Sequence, residues 1–399
     1  MLSINSNTKL KNVIYLLLTI VFLIPNFLQY SNDLYLLFLL WRYIQVGVMT
    51  LLVIHYFVSK KHNIIISLII AMYFWIAFSC FYHGKDMFSF IWSFAPDLGL
   101  SLIALKGIND LKEKYINQLM KIFFMYIIIN EISIIAFPNG LAQGRLGQIV
   151  WFLGNKNSFT PYILISVILI IIDSKIKYRK ITASAFIKCA VVLSNSLLVD
   201  SATTKLLSFL VAIVLLIEMI VVSYKVKRIF IGRKRLFFIF IIVFLYIILL
   251  NRNGTFSVFI NQMIGRDLTF SSRIFLWEIA IEYITKNPVF GMGPDVVYFP
   301  SNFTEPMTHA HNLYLNIAAK YGLPALVLFL VIIIWIYLVN NKKIKSRDNI
   351  LLSVYVILTL YLIASIVEVY LLHYLFMVFI ILSSFVESGG FQKNAKEDK

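Results

Sequence analysis

The sequence predicts an all-α polytopic membrane protein with about twelve transmembrane helices and one long extracytoplasmic loop that carries short interfacial helices. Three observations predict it. Of the 399 residues, 60% are hydrophobic and only 14% charged, with a mean hydropathy of +0.85, so a soluble globule would lack the polar residues for its shell. Apolar runs near the roughly 20 residues that cross a bilayer recur along the chain. The basic residues gather in alternate connections between those runs.

The first run, 12–30, follows Lys9 and Lys11 and has no small-residue cleavage site after it, so it reads as a retained helix and not a removed signal peptide. Runs 34–58, 63–82, 87–106, 117–137 and 158–173 continue the series. Then come 181–199, which carries Lys188, 206–223, the short run 236–250, and 323–340. The final pair, 350–367 and 371–387, reads either as two spans or as one long bent helix. Cys80 and Cys189 both fall inside spans, which suggests packing residues and neither a disulfide framework nor a thiol metal site. Arg42, Asp97, Glu131, Lys188 and Glu218 are scattered through the spans without the internal symmetry expected of a transporter. Glu131 and Glu218 read as partners of internal cations.

The net charge of +17 would point to nucleic acid in a soluble chain. Here its distribution gives another answer. With a cytoplasmic N-terminus, one side collects Lys60 and Lys61, Lys106 to Lys114, Lys175 to Lys180, Lys225 to Arg235 and Lys342 to Arg347. That is the positive-inside bias. It predicts cytoplasmic termini, a cytoplasmic tail at 388–399, a single membrane domain over 1–399, and the bilayer, not nucleic acid, as partner.

Two predicted extracytoplasmic connections are long, 138–157 and 251–322, and long connections in compact proteins commonly carry function. They hold Arg145, Lys156, Arg266 and Arg273, and Lys205 sits at the outer end of a span. Cations on the side the bias disfavours fit an anionic ligand; the plainer alternative is pairing with lipid phosphate or with Asp267, Glu278, Asp295 and Glu305. Ser271 and Ser272 are cap-type residues ahead of a helix that Asn287-Pro288 ends. Its projection sets Ser271, Glu278, Glu282 and Thr285 on one stripe and Arg273 opposite, beside Trp277, Ala280 and Ile284.

A second helix is predicted from Thr308 as N-cap to Tyr321, stopped by Gly322. Projection then sends His309 to solvent with Asn316 and Lys320, and His311 inward with Leu315 and Ala318. Their i, i+2 spacing argues against a shared metal on one helical face. A lone interfacial histidine is more often a packing residue than a catalyst.

His311-Asn312 followed by Gly322 resembles the motif of the O-antigen ligase and O-antigen polymerase superfamily. Ser272-Arg273 through Trp277, and Asn287-Pro288-Val289-Phe290-Gly291-Met292-Gly293, are similar to that family's Arg-x-x-x-Trp and Pro-hydrophobic-Phe-Gly-x-Gly patterns. Gly154-Asn155-Lys156-Asn157 resembles its Gly-Asn-x-Asn turn. Gly291-x-Gly293-Pro294 reads as turn chemistry and not as a nucleotide loop. The resemblance implies that His311 is the catalytic base and that Arg273 binds a lipid diphosphate. It expects a second cation, usually Arg, near the outer end of a middle span, where this chain has Lys205 and departs from the pattern.

The implied reaction is glycosyl transfer from undecaprenyl-diphosphate-linked oligosaccharide. Arg145, Lys205, Arg266 and Lys156 are candidate contacts for the diphosphate, and Asn157 and Asn312 for the glycan, with no cofactor and no metal. A polysaccharide polymerase making O-antigen or capsule, partnered by a chain-length regulator, is favoured by the compact Gly291-to-His311 loop. The alternatives are a ligase that transfers glycan to lipid A core and, in a different class, a lipid-linked oligosaccharide flippase.

Overall fold

A computed structural model describes residues 2–59, 62–144, 147–220, 233–250, 268–298, 307–339 and 348–387. Among them are fourteen α-helices and one two-stranded hairpin. The chain is an integral membrane protein: among the described residues, six helices are long and apolar enough to cross a bilayer, and four shorter apolar helices accompany them.

Helix α1 (Leu2–Val21) covers the first half of the predicted 12–30 span and stops well before residue 30, because Pro25 precedes a 3-10 turn over Asn26–Gln29. Proline has no N–H to donate and cannot continue the ladder. Helices α2 (Tyr35–Val58), α3 (Ile64–Tyr82), α4 (Met87–Leu111) and α5 (Glu113–Ala136) follow the predicted runs. Asn63 starts α3 by accepting from the amides of Ile65 and Ile66. The connection predicted over 138–157 carries a hairpin, β1 (Ala142–Gln143) paired with β2 (Ile149–Val150), which the sequence reading did not foresee.

Helix α6 (Phe159–Tyr178) is the axis of the bundle, with every residue from Phe159 to Ile176 buried. It packs on α5, on α7 (Ala183–Ser194), on α8 (Ala202–Ile220) and on α13 (Asp348–Ala364). The predicted 181–199 span is thus a twelve-residue helix followed by a 3-10 turn. The buried Lys175 amine donates to Glu218 Oε1 at 2.7 Å and to Ser353 Oγ at 2.9 Å, so Glu218 does pair with an internal cation. Glu131 instead accepts from the Ser194 hydroxyl. Cys80 and Cys189 are buried and unbridged, as packing residues should be.

Helix α9 (Arg233–Leu250) leads toward the described part of the long loop: α10 (Leu268–Lys286) and α11 (Leu313–Tyr321). Then come α12 (Leu323–Ile334), α13, and α14 (Leu372–Glu387), whose residues from Tyr374 to Ser384 are buried. The last two predicted spans are separate helices, broken between Ala364 and Leu372.

Candidate functional site

Within the described part of the long loop, the Pro288–Gly293 turn is tied to the end of α11. Amides of Met292 and Gly293 donate to the carbonyls of Ala319 and Lys320, and the Leu323 amide donates to Pro288 O. The first two bonds satisfy carbonyls that the end of α11 would otherwise leave orphaned. The approach is close enough to demand glycine. A Cβ on Gly322 would lie 1.8 Å from Val289 O, and one on Gly291 would lie 2.5 Å from Lys320 O. Phe290 stacks on Tyr82 at 4.3 Å, while Ser79 and His83 of α3 and its C-cap bond the carbonyls of Phe290 and Gly291. The Pro-to-Gly turn is therefore a clamp joining α3 to α11.

Helix α11 starts at Leu313, four residues later than the Thr308 cap implies. Asn312 is the N-cap: its Oδ1 accepts from the amides of Tyr314 and Leu315 at 3.0 and 3.1 Å. His311 precedes it in the left-handed region, with φ 49°, a conformation that non-glycine residues adopt rarely and mostly where surroundings enforce it. The helical projection of His309 and His311 consequently does not apply. His309 is half-buried, not free in solvent, and its ring packs edge-on against His311 at 4.2 Å. Asn316, expected on the polar side, is buried and bonds the Ala310 amide and the Tyr298 hydroxyl.

Helix α10 begins at Leu268 and buries Leu276, Trp277 and Ala280, with Glu278, Glu282 and Thr285 exposed, as the projection expected. Arg273 is half-buried. Of the four carboxylates named as plain alternatives, Asp267 and Glu305 lie outside the described residues, Asp295 pairs with Lys85, and Glu278 is exposed on the opposite face of α10. Its Nη2 donates to Glu368 Oε1 at 2.6 Å, and the other oxygen, Oε2, lies 3.3 Å from His311 Nδ1. Glu368 occupies the break between α13 and α14, and sequence reasoning missed it. The available signal was a carboxylate in a three-residue connection between two apolar runs. Burial pushes its pKa up, but the hydrogen bond with His311 and the charge of Arg273 prevail and hold it below the usual carboxylate value. Burial, reinforced by His311, lowers the His309 pKa to about 4.

An ionised Glu368 can only accept, so the proton of the neutral His311 ring belongs on Nδ1 and the lone pair on Nε2. The triad holds a base in one tautomer and a guanidinium with spare N–H donors beside it. Such an arrangement can take a proton from a hydroxyl and meet an anionic leaving group.

The other predicted residues lie elsewhere or serve differently. Asn312 is fully buried as a cap, its Nδ2 without a partner. Asn155 builds the 154–157 turn by accepting from the Asn157 and Ser158 amides. Asn157 accepts from Ser201 Oγ, which is linked through Thr204 to Thr160 of α6. Lys156 is exposed, and Lys205 lies 3.5 Å from Asp200. Arg145 and Arg266 lie outside the described residues.

No curated protein is significantly similar to the chain. A family model described as O-antigen ligase matches residues 189–330, a stretch that includes Arg273, His311 and Gly322 but ends before Glu368. Over those residues, about a third of the chain, the protein is similar to that family.

Proposed function

We propose that the protein is a polysaccharide polymerase of the bacterial cytoplasmic membrane. It joins undecaprenyl-diphosphate-linked oligosaccharide repeat units on the extracytoplasmic face, with both termini in the cytoplasm and loops 138–157 and 251–322 outside. The observation that carries this reading is the bridge of Glu368 to both Arg273 and His311. His311 Nε2 takes the proton of an acceptor hydroxyl as its oxygen bonds to the donor's anomeric carbon. The bond from that carbon to the diphosphate oxygen breaks, and the leaving diphosphate carries off the electron pair.

Arg273 meets the charge that develops on it. Glu368 is a positioning residue: it accepts from Nδ1 throughout and orients both partners. Arg145, Arg266, Lys156 and Lys205 supply further cationic contacts to the donor, and the exposed Asn157 contacts sugar oxygens, whereas Asn312 acts as the buried cap that positions His311. The donor chemistry needs only these cations, so the reaction is metal-independent. A chain-length regulator is the expected protein partner.

The short connection from Gly291 to His311, whose first residues the clamp holds against α3, favours polymerase over ligase. Replacing His311 with Ala in cells making the cognate repeat unit tests both. Surface glycan cut to a single repeat supports the polymerase; lipid-linked polymer accumulating unattached supports the ligase; unchanged long chains refute the site.

A further inference from the structure

Arg42, Asp97 and His373 look unrelated in the sequence, on three different apolar runs. The fold brings all three to the wall of one cavity of about 440 Å³. Asp97 accepts from the Tyr73 hydroxyl, and its other oxygen lies 2.9 Å from His373 Nδ1. Arg42 bonds Gln45 Oε1 and the Trp92 carbonyl, stacks over the Trp92 ring at 5.2 Å, and keeps a buried Nε without a partner. Aromatic faces complete the walls, among them Phe38, Phe90 and Phe94. The volume lies within the ~300–1,000 Å³ of small-molecule sites, as does the mixture of apolar walls and a few convergent polar groups.

The two segments that carry His311 and Glu368 continue directly into this cavity. Leu313, Asn316 and Ile317 of α11 form one wall, and Val369 to Tyr374 form another. The Leu313 amide donates to Ser365 O and ties the two segments together. A ligand seated here therefore rests against the backbone that presents His311 and the Glu368 that positions it.

We propose that the cavity is a saccharide-binding site, with Asp97, His373, Tyr73 and Arg42 bonding ring hydroxyls while the aromatic walls cover the C–H faces. Its identity as the seat of the acceptor glycan rests on the polymerase reading. A prenyl or acyl chain fits less well: it would shut a carboxylate, an imidazole and a guanidinium away from water with nothing to bond their remaining capacity, which is costly in a membrane interior. Hydroxyls supply both donors and acceptors to all of them.

The test uses the full chain in lipid nanodiscs and, as probe, the lipid-free oligosaccharide released by mild acid from the host's own surface polysaccharide, with binding read by titration calorimetry. Wild type should bind it, and Asp97→Asn and His373→Ala should weaken binding at least ten-fold. Leu371 lines the cavity but is 47% exposed, so Leu371→Trp fills the space without disturbing the core and should abolish binding at an unchanged melting temperature.

Equal affinity in all three cavity variants overturns the proposal, as does no binding to wild type. So does farnesyl diphosphate binding that Leu371→Trp removes, since that makes the cavity a lipid site. If His311→Ala still polymerises while the cavity variants lose the oligosaccharide, the polymerase reading fails and the saccharide site stands.

Discussion

Glu368 holds Arg273 through one carboxylate oxygen at 2.6 Å and faces His311 through the other at 3.3 Å. One buried anion thus sets the position of a cation and the tautomer of a base that lie 95 and 57 residues away in the chain.

Glu368→Gln keeps the shape but removes the charge and turns an amide N–H₂ toward one of the two partners. Turnover of a lipid-linked donor by purified protein should fall ~10²–10⁴-fold, the range for losing an oriented base, chiefly in kcat. Glu368→Asp should recover part of it, whereas a residue that merely packs would give equal loss in both variants.

Arg273→Lys retains the charge but loses the planar fork that bonds Glu368 and a phosphate together. Initial rates should drop about ten-fold or more, and Arg273→Ala should drop further. Wild-type rates in Arg273→Lys would show that charge alone suffices there.

His309 gives the fold an acid sensitivity of defined sign. Its folded pKa of about 4 lies below the ordinary 6.5, so between those values the unfolded chain binds more protons and stability falls as pH falls. Thermal unfolding in nanodiscs should show a melting temperature declining from pH 6.5 toward 4, and His309→Gln should flatten that decline. Glu368, held below its ordinary 4.5, contributes stability of the same sign, lost as pH falls below that value.

Gly322→Ala should abolish folded protein. The residue sits at φ 85°, ψ 168°, a region essentially confined to glycine, and the added Cβ would overlap Val289 O. A clash with backbone on both counts costs more than about 4 kcal/mol. Normal expression and melting temperature in this variant would contradict the clamp between the Pro288–Gly293 turn and α11.

Because Arg273 is assigned the charge on the leaving diphosphate, turnover should persist in excess EDTA. Loss of activity restored by a divalent cation would transfer that role to a metal.

Composition and hydropathy period sufficed for the class of protein and for most helix positions, because the bilayer imposes one length and one polarity on every span. The amphipathic faces of α10 were equally legible: Arg273 beside Trp277 and Ala280 follows from 3.6-residue periodicity alone. The start of α11 was not. Thr308 and Asn312 are both competent caps, and the left-handed turn at His311 selects the second. With that selection the separation of His309 from His311 gives way to ring contact.

Nor could local pattern pair Glu368 with Arg273 and His311, or gather Arg42, Asp97 and His373 around one cavity. Local periodicity states which face a side chain occupies on its own helix. Which groups on distant helices share one volume is decided when the helices pack and their buried charges must find partners, and only the tertiary structure carries that information.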